Sequence, residues 1–210
     1  SAPSRADIAA AQHVSNPGCY PQGFILLVRP LIEAGLLDRG TPLRCNAVSG
    51  YSGGGRQMIE QFQAMDATTA NTLAVQSYGL NQGHKHLPEM TEFSGTSVAP
   101  IFVPTVANYD QGMLTQIPLF ASELGGASPD QVHTVLAERY ADEAFIHVAD
   151  LGDHSMLQGN YLNPTGRNNS NEMDLFVFGD AERLVLCARY DNLGKGAACL
   201  LYTSDAADDD

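Results

Sequence analysis

The chain has 210 residues, 44% of them hydrophobic and 17% charged, which is typical of one globular domain. Its formal net charge of −13 and the lack of a basic patch argue against nucleic-acid binding. No apolar run approaches the roughly 18 residues of a membrane span, and the first residues do not resemble a secretory signal. We therefore expect no membrane partner. The cysteines follow no metal or disulfide spacing, so we expect a reducing cytoplasm and no bound metal.

The first half of the chain is predicted to contain mostly helices. A short helix at 5–12 is followed by a Pro-Gly turn, and then apolar residues recur at the helical i, i+3, i+4, i+7 spacing from Pro21 to a stop at Gly35. Pro30 lies inside this helix and predicts a kink. The remaining elements are a strand at 43–49, a glycine-rich turn, a helix through Met58, Ile59, Phe62 and Met65, and a short helix at 87–95.

The second half is predicted to contain most of the strands. Its elements are strands at 99–107 and 112–120, a helix capped by Ser128, a strand at 144–150, a polar loop at 151–172, a hairpin at 173–190 turning at Gly179-Asp180, and a helix from Asp191. Strands that pair locally, with helices between them, favour an α+β fold. We expect a mixed, largely antiparallel sheet with helices on one face.

One cysteine lies in an unusual place, within the stretch SNPGCYPQG. Turn-forming residues precede Cys19 and the long helix follows, so free backbone amides are expected near its thiol. Such amides carry partial positive charge and favour the thiolate, the form that acts as a nucleophile. The alternative is a buried free cysteine that only packs. For Cys45, Cys187 and Cys199, which lie in strand or helix patterns, we expect packing.

Histidines alternate in the stretch GHKHLPEM, just before a predicted helix. His86 could serve as a general acid and base for the cysteine. His84, His86 and Glu89 could instead bind a metal ion. The stretch could also be a plain polar turn, and the spacing of the residues leaves all three interpretations open.

A glycine-rich stretch, SGYSGGGR, follows a predicted strand and opens a helix. It matches neither a Walker loop nor a dinucleotide fingerprint. Free amides at a helix start favour anions, and Ser49, Ser52 and Arg56 add hydrogen-bond donors. We therefore predict that Arg56 holds a substrate anion, with a flexible turn as the alternative.

Taken together, the stretches SNPGCYPQG, NAVSGYSGGGR, GHKHLPEM, FVPTVANYDQGML and DNLGKGAA resemble the N-acetyl-gamma-glutamyl-phosphate reductase family, in the family's order over roughly residues 5–199. The resemblance implies an NADPH-dependent reductase of arginine biosynthesis that converts an acyl phosphate into an aldehyde through a cysteine thioester. It implies Cys19 as the nucleophile and His86 as the acid and base. It also implies a fold like the C-terminal domain of glyceraldehyde-3-phosphate dehydrogenase, and a homo-oligomer.

The same resemblance implies the cofactor contacts. Ser52 and Gly53 match the family's segment near the nicotinamide of NADP, and Asn192 resembles an asparagine beside the nicotinamide amide. Gln22 departs from the family, where threonine is usual.

The domain organisation also departs from that of the family. The family's nucleotide-binding domain is not recognisable, so we expect residues 1–200 to be the catalytic and dimerisation domain, nearly inactive alone, and 201–210 to be a non-native tail. Three alternatives stay open: an aminoadipyl-phosphate reductase of lysine biosynthesis, a non-catalytic oligomerisation module, and a metal-dependent hydrolase.

Overall fold

A mixed β-sheet runs through the computed structural model, which describes residues 5–197. Within that part of the chain its strands are β1 (Arg44–Gly50), β2 (Val75–Ser77), β3 (Ile101–Ala107), β4 (Met113–Phe120), β5 (Ile146–Val148), β6 (Met173–Gly179) and β7 (Arg183–Tyr190). Their order across the sheet is β2-β3-β1-β4-β7-β6-β5. β1 pairs in parallel with β3, and β5 with β6, whereas the other four pairings are antiparallel. The predicted largely antiparallel sheet and the hairpin between β6 and β7 are therefore confirmed.

The helices flank this sheet. They are α1 (Arg5–Ala9), α2 (Cys19–Glu33), α3 (Gly55–Gln63), α4 (Ala67–Thr72), α5 (Leu87–Ser94) and α6 (Pro129–Arg139), with 3-10 turns at Tyr51–Gly54 and Ala121–Leu124. None of the helices within residues 5–197 has the length and apolar character needed to cross a lipid bilayer. α2 packs on β4 and β7, α6 packs on β5 and β6, and both α5 and α6 contact α2.

The two faces of the sheet are covered differently. Alternate residues of β4, β6 and β7 join α2 and α6 in the main core, where Phe24, Ile117 and Leu186 are fully buried. On the opposite face, Leu114, Phe176 and Cys187 form a smaller cluster. Part of the 151–172 loop packs against it through Met156 and Leu162. The larger hydrophobic core thus lies on the helical face.

Helix α2 continues through Pro30 as far as Glu33, although proline lacks the N–H that would bond the carbonyl of Leu26. The hydroxyl of Tyr140, at the end of α6, donates to that carbonyl at 2.7 Å. A tertiary contact therefore satisfies the acceptor that the proline leaves without a helical partner.

Several boundaries differ from the prediction. The first helix ends at Ala9, and the strand expected at 144–150 is limited to β5. α4 and β2 were not predicted. β2 is a three-residue edge strand, which carries almost no periodicity and forms through its pairing with β3.

The helix expected from Asp191 is also absent, since residues 192–197 form turns. A Cβ on Gly194 would lie 2.5 Å from the carbonyl oxygen of Ser170, so the chain turns where only glycine fits. The rest of that prediction, together with Cys199 and the tail at 201–210, lies outside the described residues.

Candidate active site

A cavity of about 680 Å³ opens where the start of α2, the glycine-rich turn after β1, the approach to α5 and the turns after β7 meet. Five of the six predicted site residues line it: Cys19, Ser52, Gly53, His86 and Asn192. The fold thus brings together residues that are up to 173 positions apart in the chain.

The sixth predicted site residue, Arg56, does not line this cavity. Its side chain lies in the first turn of α3, is 91% exposed, and donates to Glu60 at 2.7 Å. Helix α3 contributes Gly55 and Met58 to the cavity wall, and Arg56 lies between them in sequence but outside the cavity lining.

Cys19 is the first residue of α2, and two contacts hold its backbone. The N–H of the preceding Gly18 donates to both carboxylate oxygens of Glu89, at 2.9 and 3.1 Å. The buried hydroxyl of Tyr190 donates to the carbonyl of Cys19 at 2.7 Å, and accepts from the N–H of Gly23 at 3.3 Å. Glu89 and Tyr190 therefore clamp the turn that presents the thiol.

Sequence reasoning considered Glu89 only as a metal ligand, and it did not identify Tyr190 at all. Glu89 lies three residues after His86, so both fall at the start of α5, and this spacing was a usable signal. Tyr190 carries no local signal, since the last residue of a buried strand looks like any core aromatic.

The thiol of Cys19 is not readily ionised in this structure, contrary to the expectation from its position. Burial raises its pKa, although the backbone N–H groups of Tyr20 and of Cys19 itself, and the charge of Lys85, act in the opposite direction. Glu89 adds to the increase through its negative charge. The helix-start amides thus contribute as predicted, but desolvation outweighs them.

His86 caps α5, and its imidazole packs directly against Gly18. A Cβ on Gly18 would lie 2.5 Å from Nε2 of His86, so only glycine allows this approach. Burial, followed by the charges of His84 and Lys85, lowers the pKa of His86 to about 4. Its Nδ1 is buried and has no hydrogen-bond partner among the described residues. At neutral pH the ring is therefore an uncharged imidazole that can accept a proton.

Two of the three side chains of the alternative metal site make other contacts. His84 accepts the backbone N–H of His86 at its Nδ1, 3.2 Å away, and Glu89 binds Gly18. No group of three His, Cys, Asp or Glu side chains suited to a metal ion occurs within residues 5–197.

Asn192 joins the glycine-rich turn to the opposite wall. Its Nδ2 donates to Oγ of Ser52 at 3.0 Å, and its Oδ1 accepts the N–H of Gly112 at 2.7 Å. A Cβ on Gly53 would lie 3.1 Å from Nδ2, so a side chain there would crowd the amide. A carboxamide has two N–H donors and two acceptor positions, and these two bonds use one of each on Asn192. These residues fit a flat ring that carries a carboxamide, such as nicotinamide.

A family model and curated relatives match most of this chain. A family model described as "Semialdehyde dehydrogenase, dimerisation domain" matches residues 19–192. Curated relatives include "N-acetyl-gamma-glutamyl-phosphate reductase 2" of Nostoc sp., 45% identical over 92% of this chain, and the reductase of that name from Rhizobium etli, 45% identical over 91%. This chain covers 62% of each of these two relatives.

Solved structures support the same fold. Aspartate semialdehyde dehydrogenase II from Vibrio cholerae superposes on 96% of this chain with a TM-score of 0.64 at 15% identity, and 63% of its own length is covered. A probable aspartate-semialdehyde dehydrogenase from Pseudomonas aeruginosa superposes on 95% with a TM-score of 0.63 at 18% identity, and 66% of its length is covered. At these identities the similarity shows the fold.

Proposed function

This chain belongs to the semialdehyde dehydrogenase family, whose dimerisation domain it contains, and from that premise we propose that it is the catalytic part of an NADPH-dependent N-acetyl-gamma-glutamyl-phosphate reductase of arginine biosynthesis. One observation carries the proposal: Cys19, held at the start of α2, faces the same cavity as the uncharged imidazole of His86. The curated relatives of the same name support the substrate.

The first step is transfer of the acyl group to sulfur. His86 accepts the proton of the Cys19 thiol, which is needed because burial keeps the thiol protonated at neutral pH. The sulfur attacks the acyl carbonyl carbon, and a C–S bond forms. The bond from that carbon to the phosphate oxygen breaks, and its electron pair leaves with phosphate. The product on the protein is a thioester of Cys19.

Bound NADPH supplies the hydride that converts such a thioester into an aldehyde. The chain's own contribution is to hold the nicotinamide carboxamide with Asn192 and to leave the adjacent wall free of side chains at Gly53 and Gly54. His86, protonated after the first step, returns its proton as the aldehyde and the thiol separate. Tyr190 and Glu89 keep the Cys19 backbone in place throughout.

We also propose that two copies of the chain assemble through the sheet face opposite the helices. The family is described by a dimerisation domain, and half-buried Val48, Val103, Pro118 and Val185 alternate on the face opposite the helices, with Ile101 57% exposed. We expect two copies to pack these faces together. The unpaired thiols at Cys19, Cys45 and Cys187 suit a reducing cytoplasm.

The decisive experiment measures the first step alone, without cofactor. The chain is mixed with N-acetyl-gamma-glutamyl phosphate, and phosphate release and the acyl adduct are followed by colorimetry and peptide mass spectrometry. We expect one phosphate per chain and an adduct on Cys19, with no continued turnover. Cys19→Ser loses both, whereas the matched variant Cys187→Ser, at a buried thiol on the far sheet face, keeps them. Phosphate release that survives Cys19→Ser would contradict the proposal.

A further inference from the structure

One cationic side chain lines the cavity within the described residues, and it is Lys85, between His84 and His86. Lys85 takes part in no ion pair or hydrogen bond with the described part of the chain. Arg56, which the sequence favoured as the anion-binding group, is instead outside the cavity and paired with Glu60. The cavity therefore presents one unpaired positive charge to whatever enters it.

We propose that Lys85 binds the phosphate of the acyl phosphate and stabilises it as the leaving group. The inference rests on the proposed function and extends it to a phosphate subsite. In this step the C–O bond breaks, the electron pair moves to the phosphate oxygen, and the added negative charge develops beside the ammonium group of Lys85.

The position of Lys85 relative to the nucleophile supports this role. Its charge acts to lower the pKa of the Cys19 thiol, against the larger effect of burial, and it also contributes to the lowered pKa of His86, so its field reaches both reacting groups. In an acyl phosphate, a single bridging oxygen separates the carbonyl carbon from phosphorus. A cation that acts on the attacking sulfur is therefore also close to the departing phosphate.

Phosphate groups occur on both the substrate and NADPH, and the geometry favours the substrate. Lys85 shares the cavity with Cys19, where the nicotinamide has to lie, whereas the phosphates of NADPH are separated from that ring by a ribose. The substrate phosphate is the one that must be next to the sulfur when the C–S bond forms.

The test compares two alkylating reagents that differ in charge. Iodoacetate and iodoacetamide react with the same thiolate, so the ratio of their rates at Cys19 cancels any change in thiol pKa. Rates are measured at one pH by peptide mass spectrometry. We expect Lys85→Gln to lower the iodoacetate-to-iodoacetamide ratio about 3- to 10-fold through loss of one nearby charge. Lys85→Arg should restore the ratio.

Two further variants serve as comparisons. Arg183→Gln removes the same charge at the far end of β7, about 20 Å along the strand from Tyr190, and should leave the ratio unchanged. Arg56→Gln tests the competing assignment. A ratio that falls in Arg56→Gln but not in Lys85→Gln would overturn the proposal and return the anion site to Arg56.

Protection experiments distinguish the source of the phosphate. Inorganic phosphate should slow alkylation of Cys19 by iodoacetamide in the wild type, and much less in Lys85→Gln. If Lys85→Gln instead weakens protection by NADP and leaves protection by inorganic phosphate intact, Lys85 binds the cofactor and the proposal fails. A Cys19 that is acylated normally while the reagent ratio is insensitive to Lys85 refutes the subsite alone, and the proposed function stands.

Discussion

The buried arginine cluster around Asp174 and the cavity around Cys19 differ in how their ionisable groups are paired. On the sheet face opposite the helices, the fully buried Asp174 accepts two hydrogen bonds from Arg167 and two from Arg189, at 2.6–3.0 Å. In the cavity, Cys19 and His86 are also partly buried, yet neither side chain has a charged partner of its own in an ion pair.

The difference shows what pairing does to a buried group. In the arginine cluster each charge is neutralised, and Glu172 completes the set by accepting from Arg167. In the cavity the groups remain uncharged, since burial raises the pKa of Cys19 and lowers that of His86. The paired groups are held by mutual hydrogen bonds, whereas the unpaired groups are those to which we assign proton transfer and covalent chemistry in the proposed function.

The largest effect is expected from breaking the paired cluster. Asp174→Asn leaves Arg189 without a counter-charge and leaves Arg167 with Glu172 alone, and removal of one partner of a buried ion pair costs about 3–5 kcal/mol of unfolding free energy. Urea denaturation measures this loss. The matched variant Asp180→Asn removes an exposed partner of Arg183 at the hairpin and should cost less than about 1 kcal/mol. Equal losses for the two variants would show that burial of the pair is unimportant.

A smaller loss of stability is expected from Gly18→Ala, because Gly18 packs directly against the imidazole of His86. Gly18→Ala places a methyl group on the imidazole of His86, which must move toward solvent. We expect a destabilisation of about 1–3 kcal/mol and, in NMR titration, a His86 pKa that rises from about 4 toward its ordinary value of 6.5. Gly83→Ala, whose added Cβ meets nothing closer than 3.5 Å, is the control. An unchanged His86 titration in Gly18→Ala would refute the packing argument.

The unpaired histidine also predicts how stability depends on pH. Between pH 6.5 and about 4, the unfolded chain protonates His86 while the folded chain does not. Folding stability should therefore fall as the pH falls through this window, by about 1–2 kcal/mol from His86 after allowance for its partial exposure to solvent. His86→Asn should flatten the decline in urea-denaturation midpoints. His84, whose pKa burial also lowers, accounts for part of the remainder.

The smallest effect on stability is expected from Glu89→Gln, which removes the charge of Glu89 but keeps a hydrogen-bond acceptor. In Glu89→Gln an amide oxygen can still accept the N–H of Gly18, so unfolding free energy should change by less than about 1 kcal/mol. The negative charge that raises the pKa of Cys19 is lost, so alkylation by iodoacetamide should accelerate about 2- to 3-fold. Glu92→Gln, exposed on the same helix, should change neither quantity. A slower Cys19 in Glu89→Gln would indicate that the carboxylate positions the thiol by its charge.

Most elements were predictable because their signals are local. The apolar spacing of α2, the Ser128 cap of α6 and the hairpin turn at Gly179-Asp180 each depend on a few neighbouring residues. The helix expected after Asp191 is replaced by turns over residues 192–197, where Gly194 packs closely against the carbonyl oxygen of Ser170, a contact with a distant segment. At Pro30 in α2, a distant side chain is also used, since Tyr140 donates to the carbonyl of Leu26 that the proline leaves without a helical partner.

By itself the sequence pointed to Cys19 and His86 as candidate site residues, because each stands in a stretch with its own turn or helix-start signal, and to Asn192 through the resemblance of DNLGKGAA to the reductase family. The tertiary structure alone decided which of them meet, that Arg56 stays outside while Lys85 lies inside, and that the thiol remains protonated. Solvent exposure and the distance between charges set these outcomes, and both depend on packing between segments far apart in the chain.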